Sequence, residues 1–282
     1  MAKRPTFGDE PTSRLAAWSG RFALFALAVA ALSIVILRSG ILEIVPALAT
    51  FGAALLFAGL AVLCAFGAFI VIWRQGLAGF GYALMGLFLG LTLMAYPAYL
   101  GYRANMLPAI SDVTTDPGNP PRFDVLARLR PRGRTEYPGA AAATLQRAAY
   151  PDIAPLQLSV PPKVAYDAAL GVATKRKWLV VDTRPPATGG RREGTIEAVA
   201  RTPIMGFRDD VVIRVTPQGA GARVDLRSAS RFGSHDLGAN ASRIRALSED
   251  IEEAANNAPE PRAEPEEKKT KKQPEKKSEK KK

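Results

Sequence analysis

Three long apolar runs dominate the N-terminal part of the chain. The second run, Val45 to Trp73, contains no charged residue and is long enough to cross a bilayer with some tilt. The first run, Phe22 to Leu37, reaches about 20 residues when it is counted back to Leu15 with Arg21 extending to the interface. The pattern predicts three transmembrane helices, at about 15–37, 45–73 and 77–102.

A cleaved signal peptide is the alternative for the first run, because a basic start and an Ala-rich core also suit a leader. Two further apolar runs follow, so we favour an uncleaved anchor. No ionisable residue lies in the middle of any span, which argues against a proton or ion pathway. The hydrophobic region is therefore interpreted as a tether and not as a transporter.

The third span is rich in small residues, and Gly86 and Gly90 form a GxxxG pattern that permits close helix contact. The pattern fits either packing within the three-helix bundle or a dimer face. We favour packing within the bundle.

The distribution of basic residues predicts the orientation in the membrane. A modest excess of Lys and Arg lies before the first span and after the second, and this favours a cytoplasmic N-terminus. After three spans the remaining chain is then extracytoplasmic. We therefore expect a multi-pass protein of the inner (plasma) membrane with a periplasmic domain. The residues compared are Lys3, Arg4, Arg14, Arg21 and Arg74 on one side, and Arg38, Arg103 and Arg122 on the other.

Beyond the spans, short alternating segments separated by Pro- and Gly-containing turns predict strands, and two segments have helical spacing. The expected fold class is α+β: an N-terminal three-helix transmembrane region followed by an antiparallel β-sheet domain with helices packed on one face. The predicted strands are 156–160, 178–183, 195–202, 210–216 and 222–230, and the predicted helices are 161–177 and 236–255.

The last segment of the chain is nearly devoid of apolar residues and rich in Lys, Glu and Pro, which predicts disorder. The expected organisation is residues 1–103 for the N-terminal tail and spans, 104–255 for the soluble domain and 256–282 for the tail. The net charge of +12 is shared evenly among these three parts. This favours attraction to anionic lipid headgroups, with the Lys-rich tail as a candidate contact, and disfavours a nucleic-acid module.

Catalytic and cofactor signatures are absent from the sequence. Cys64 is the only cysteine, so no intrachain disulfide or CxxC metal pair is possible. Ser228, Ser230, His235 and Asp236 supply the residue types of a Ser/His/Asp triad, but they lie too close along the chain for that geometry. We predict no catalytic residues, no metal site and no cofactor.

A cluster of arginines near the start of the last helix is the strongest candidate site. Strand alternation places Asp225, Arg227 and Arg231 on one face, beside a helix N-terminus, where guanidinium and backbone N–H groups suit a phosphate or carboxylate. The alternation also puts Glu197 and Asp210 on outward faces of the strands. The alternative is therefore cross-strand salt bridging, for which Glu197, Asp210 and Asp225 are available. The candidate anion-binding residues are Arg201, Arg214, Arg227, Arg231, Asp236, Asn240 and Arg243.

Several ordered blocks resemble one known family. The stretches ISDVTTDPGNPPRF (110–123), QRAAYPDI (146–153), GFRDDVVIRV (206–215) and RSASRFGSHDLGANASRIR (227–245) are similar to the domain-of-unknown-function 1499 family of bacterial envelope and plastid proteins. The resemblance covers about 105–250 and implies the form with hydrophobic helices ahead of the domain. It implies no reaction, and the Cys-containing opening of some members is absent here.

These observations favour a non-enzymatic membrane protein of the bacterial envelope whose domain binds an anionic envelope component or a protein partner. The alternative is an enzyme acting on an envelope lipid or glycan through Arg227, Arg231 and Asp236. That alternative requires these side chains to converge in an open pocket.

Overall fold

The computed structural model describes residues 11–41, 43–129, 135–187 and 193–258. Within these ranges the first three helices are α1 (Arg14–Ser39), α2 (Ile44–Gln75) and α3 (Phe80–Met106), and each is long and apolar enough to cross a membrane. Helices α1 and α2 each end at a glycine with a left-handed backbone, Gly40 (φ 72°) and Gly76 (φ 65°). Glycine adopts this conformation at little cost, so the chain reverses within a few residues.

The bundle packs through small residues. Gly86 lies against Ser19 of α1, and Gly90 lies against Ala58 and Val62 of α2. The Ser19 hydroxyl donates a hydrogen bond to the carbonyl oxygen of Ala61 at 2.8 Å, which ties α1 to α2. Both glycines of the GxxxG pattern are therefore used for packing within the bundle, in agreement with the favoured interpretation.

Gly86→Ala is expected to lower the stability of the bundle by about 1–3 kcal/mol, because the new methyl group would overlap the Ser19 side chain and backbone. Gly81→Ala is the matched control, since open space surrounds Gly81 in the same helix. Alanine is the better helix former, so the control should be neutral or stabilising by up to about 1 kcal/mol. Thermal unfolding of the full chain in detergent would measure both, and equal midpoints for the two variants would contradict the packing.

The rest of the described chain forms an antiparallel sheet with four helices, which confirms the α+β class. The strands are β1 (Asp112–Thr114), β2 (Leu156–Leu158), β3 (Leu179–Arg184), β4 (Gly194–Arg201), β5 (Arg208–Gln218) and β6 (Gly221–Ser230). Their order in the sheet is β1-β6-β5-β4-β3, and β2 also pairs with β6. The helices are α4 (Val125–Leu129), α5 (Ala140–Ala149), α6 (Pro162–Lys175) and α7 (Ala239–Asn256). We call β1 to α7 the sheet domain.

The two faces of the sheet are covered differently. Helices α6 and α7 cover one face with the main apolar core, in which Ile213 and Leu226 pack with Leu247. The segment 115–129, which includes α4, covers the other face over a smaller cluster around Val212. Because side chains alternate along a strand, the polar residues predicted to point outward lie beneath this segment.

The sheet domain is joined to the bundle by hydrogen bonds as well as by the chain. The Arg38 guanidinium, at the end of α1, donates to the carbonyl oxygens of Pro203 (2.6 Å) and Ile204 (3.2 Å) in the β4–β5 turn. Arg201 donates in return to the carbonyl oxygen of Arg38 at 3.1 Å. His235 Nε2 lies 3.2 Å from carbonyl oxygens at the end of α3. These contacts fix the domain at the end of the bundle where α1 and α3 finish.

Residues 259–282 lie outside the described ranges, as do residues 130–134 and 188–192. The predicted disorder of the Lys-rich tail falls in this part of the chain and stays a prediction.

Candidate functional site

Arg227, the centre of the predicted arginine cluster, is buried in an ion pair. The residue is 1% exposed, and its Nε and Nη2 donate to the two oxygens of Asp112 at 3.0 and 2.7 Å. The remaining donors reach the carbonyl oxygens of Pro121 (3.0 Å) and Thr135 (3.0 Å). The guanidinium carbon also lies 4.6 Å from the centre of the Phe123 ring. Arg227 therefore fastens the covering segment and β1 to β6.

Arg214 and Arg223 form a second ion-pair network, centred on the buried Asp225, on the same face. Arg214 pairs with Asp225 at 2.9 Å, directly across the β5–β6 ladder, and donates to the carbonyl oxygen of Asn119 at 2.8 Å. Arg223 joins Asp225 to Asp116 of the covering segment at 2.9 and 2.6 Å. Asp225, one of the acids available for cross-strand pairing, thus binds two arginines, and Asp116 links the covering segment to the same network.

Glu197, which the sequence predicts on an outward face of the sheet, is buried beneath the covering segment. It is 2% exposed, and its carboxylate accepts hydrogen bonds from three successive backbone N–H groups at the start of α4. The N–H groups of Asp124, Val125 and Leu126 lie 2.8, 3.1 and 2.8 Å from its oxygens. A buried carboxylate is thereby satisfied mainly by backbone donors.

The candidates at the start of α7 form a third network, on the helix-covered face. Asp236 accepts hydrogen bonds from the N–H groups of Gly238 (2.9 Å) and Asn240 (2.8 Å), and burial raises the pKa of its carboxyl group. Arg243 pairs with Asp209 at 2.5 Å and also donates to Ser228. These side chains stabilise the start of α7.

The serine and histidine side chains that could have supplied a Ser/His/Asp triad have other hydrogen-bond partners. The Ser228 hydroxyl donates to Asn240 at 2.8 Å, whereas His235 Nε2 faces α3. His235 Nδ1 accepts a hydrogen bond from the N–H of Leu237 at 3.0 Å. No Ser–His hydrogen bond joins Ser228 or Ser230 to His235 among the contacts of the described residues.

Among the seven candidates, Arg214 lines one open cavity, whereas Arg201 and Arg231 line a different one of about 730 Å³. We call the latter cavity the arginine cleft. Its cationic residues come from the end of α1, from the α6–β3 turn, from the facing ends of β4 and β5 and from the residue after β6. Its apolar floor comes from α4, from β3 with the residue before it, and from β4. The cationic residues are Arg38, Arg176, Lys177, Arg201, Arg208 and Arg231, and the apolar ones are Leu126, Leu129, Trp178, Leu179, Val181 and Val199.

The charge in the arginine cleft is incompletely neutralised. Arg201 and Arg208 stand directly opposite each other in the β4–β5 ladder, and both are exposed. Among the described residues no carboxylate forms a salt bridge with Arg38, Arg201 or Arg208, whereas Arg231 pairs with Asp210 at 2.7 Å. Like charges that face each other across two strands repel. An anion bound between Arg201 and Arg208 would relieve this repulsion and accept hydrogen bonds from both guanidinium groups.

The cleft lies beside the end of the bundle at which α1, the first candidate membrane span, finishes. Arg38 follows Leu37, the last residue of the first apolar run, and it touches the β4–β5 turn next to Arg201 and Arg208. On α3, Tyr99 and Tyr102 are 52% and 60% exposed near the same end of the bundle, as in an interfacial aromatic belt. The guanidinium groups therefore lie next to the end of the first candidate membrane span.

Sequence reasoning named Arg201 but missed Arg38 and Arg208. Arg208 could have been identified from the β4–β5 hairpin, because a short turn after β4 makes Arg208 the cross-strand neighbour of Arg201. Arg38 lies in a different part of the chain, 163 positions from Arg201, and no local pattern connects them.

Residues 112–251 match the family model described as a protein of unknown function, DUF1499. The chain belongs to the DUF1499 family. The match runs from β1 into α7, so the DUF1499 domain contains every lining residue of the arginine cleft except Arg38. No curated protein matches the chain. Because the family description names no activity, the function has to be argued from the geometry of the site.

Proposed function

We propose that this DUF1499 protein is a non-enzymatic, membrane-tethered binding protein of the bacterial envelope that captures an anionic group in the arginine cleft. The facing pair Arg201 and Arg208, exposed and without a carboxylate partner among the described residues, carries the proposal. Arg38 adds a third guanidinium from the end of the first span.

The preferred ligand is a phosphate or a similar multi-oxygen anion. Planar guanidinium groups bind such anions through two parallel hydrogen bonds, and neighbouring arginines share the oxygens of one phosphate. The apolar floor of the cleft includes Leu129 and Leu179, which are 65% and 68% exposed. Exposed leucines beside a cationic rim favour a ligand that carries apolar surface next to its charge.

The enzyme alternative receives no support from the geometry. It requires Arg227, Arg231 and Asp236 to converge in an open pocket, but Arg227 and Asp236 are buried in separate networks. Only Arg231 of the three lines the cleft.

The distribution of basic residues supports an inner-membrane location with the domain on the periplasmic side. The domain lies at the end of α1 that carries Arg38, away from the basic N-terminal segment that is expected in the cytoplasm. The Lys-rich tail is proposed as an additional contact with anionic headgroups.

Arg201→Gln/Arg208→Gln is expected to weaken binding of inorganic pyrophosphate at least about tenfold, since charge-assisted hydrogen bonds from two guanidinium groups are removed. Isothermal titration of the full chain in phosphatidylcholine nanodiscs would measure this. The matched control is Arg122→Gln/Arg147→Gln, which removes two exposed arginines outside the cleft.

The control variant should bind pyrophosphate as the wild type does. Equal affinity of the cleft variant and the control, or no binding to the wild type, would contradict the proposed function.

A further inference from the structure

A smaller cavity lies next to the arginine cleft, between the bundle and the sheet domain. It has a volume of about 250 Å³ and shares Arg208 and Arg231 with the arginine cleft. We call it the membrane portal. The bundle contributes one side of it, and the turns that follow β4 and β6 contribute the other. Its lining residues are Leu37, Gly40, Glu43, Ile44, Gly206, Phe207, Arg208, Arg231 and Phe232.

We infer that the anion bound in the arginine cleft is the phosphate of a bilayer lipid, which reaches the arginines laterally through the membrane portal. The inference rests on the proposed function of the cleft. It adds the source of the phosphate and the route by which it arrives.

The walls of the portal suit a lipid chain. On the bundle side, Leu37 and Ile44 belong to the apolar ends of α1 and α2. On the domain side, the rings of Phe207 and Phe232 stack with their centres 5.8 Å apart, and Phe232 is 39% exposed. Exposed phenylalanines beside the end of a transmembrane helix favour contact with lipid over contact with water.

The guanidinium groups lie where a lipid phosphate would be. Arg208 extends to the α1–α2 turn, and its Nη2 lies 3.4 Å from the position that a Cβ on Gly40 would occupy. Gly40 follows the first span by only a few residues, so Arg208 reaches the depth at which the helix leaves the hydrocarbon. A lipid can therefore place its phosphate at Arg208 while its chains remain beside Leu37.

Together, the two cavities can accommodate the different parts of one lipid molecule. The portal would hold the upper chain, Arg208 the phosphate, and the arginine cleft the remainder of the headgroup over its apolar floor. Glu43 also lines the portal, on the bundle side, and Arg231 is already paired with Asp210 at 2.7 Å. Arg208 is therefore the portal arginine that has no carboxylate partner among the described residues and that is left to bind the phosphate. The phosphate of a soluble ligand would reach the cleft directly from water and would not occupy the portal.

Photolabelling of the full chain in nanodiscs tests this route. The probes are phosphatidylglycerol and phosphatidylcholine, each with a photoactivatable group high on one acyl chain, and the labelled residues are mapped by mass spectrometry. We expect phosphatidylglycerol to label the portal residues at least about fivefold more than phosphatidylcholine does. Equal labelling by the two lipids, or labelling spread evenly along the bundle, would overturn the inference.

Two variants test whether the lipid labelling depends on the phenylalanines of the portal. Phe207→Ser/Phe232→Ser should lose portal labelling several-fold while its pyrophosphate affinity in the titration stays at the wild-type value, because the arginines remain. Tyr96→Ser/Tyr102→Ser is the control for loss of exposed interfacial aromatic residues and should label as the wild type does.

The two assays separate failure of the route from failure of the site. If pyrophosphate binds and depends on Arg201 and Arg208 but the lipid does not label the portal, the lipid route is wrong and the cleft takes a soluble anion. If neither assay responds, both proposals are wrong. The labelling pattern of the wild type decides the inference even when the phenylalanine variant fails to fold.

Discussion

Asp112→Ala is expected to lower the free energy of unfolding of the sheet domain by about 3–5 kcal/mol. Arg227 would keep its charge, because a guanidinium does not deprotonate in proteins, and would remain 1% exposed without its bidentate partner. The carbonyl oxygens of Pro121 and Thr135 would be left to solvate it. A buried, unpaired charge is among the most costly defects that one substitution can create.

A matched pair and a double variant show whether burial causes the effect. Asp152 and Arg245 form a bidentate pair of the same residue types, but their side chains are 53% and 39% exposed. Asp152→Ala should therefore cost at most about 1 kcal/mol. Asp112→Ala/Arg227→Met should be more stable than Asp112→Ala alone, since the unpaired charge is gone.

Pulse proteolysis of the full chain in nanodiscs across a urea series would measure the stability of the sheet domain in all four proteins. A cost for Asp112→Ala no greater than that for Asp152→Ala would show that the buried pair does not hold the covering segment to the sheet.

The elements that the sequence predicts well are those whose signal is local. Apolar runs such as Val45 to Trp73 and the alternation in β5 and β6 depend only on neighbouring residues. The short elements β1 and α4 were missed for the opposite reason. Three residues of β1 and five of α4 carry no periodicity, and Asp112 is placed by Arg227, which lies 115 positions away.

The candidate site shows the same division between local and distant information. Alternation correctly places Asp225, Arg227 and Arg231 on one face of the sheet, but it does not show whether that face is open. The cover is a Pro-rich segment with no regular repeat, so the burial of Arg227 could not be predicted. Arg231 remains at the margin of the cover, which explains why it alone of the three lines the arginine cleft.

One face of the sheet therefore has two roles. Over most of its area, arginines and acids bind the covering segment and are fully engaged. Toward the bundle the cover ends, and there Arg201 and Arg208 have no carboxylate partner among the described residues. The position of α4 sets this boundary, because its Leu126 and Leu129 form part of the cleft floor.

Glu197→Gln is expected to cost about 2–4 kcal/mol and to release α4 from the sheet, because charge-assisted hydrogen bonds to the helix start are lost. The three N–H groups of residues 124–126 now share the two oxygens of one carboxylate. An amide offers a single oxygen and turns an NH₂ group toward the same donors. Glu197 is buried, so water cannot replace the missing acceptor without opening the segment.

Hydrogen exchange of the full chain in nanodiscs would detect this as faster exchange at residues 124–129, with little change in α6 and α7 on the opposite face. The control is Glu253→Gln on α7, whose side chain is exposed and which should leave exchange unchanged. Unaltered protection of residues 124–129 in Glu197→Gln would show that the carboxylate is not what holds α4. If α4 is released, the arginine cleft loses the wall formed by Leu126 and Leu129 but keeps all its guanidinium groups. Pyrophosphate affinity should then persist while lipid labelling falls, so this single substitution also separates the charged part of the site from its apolar part.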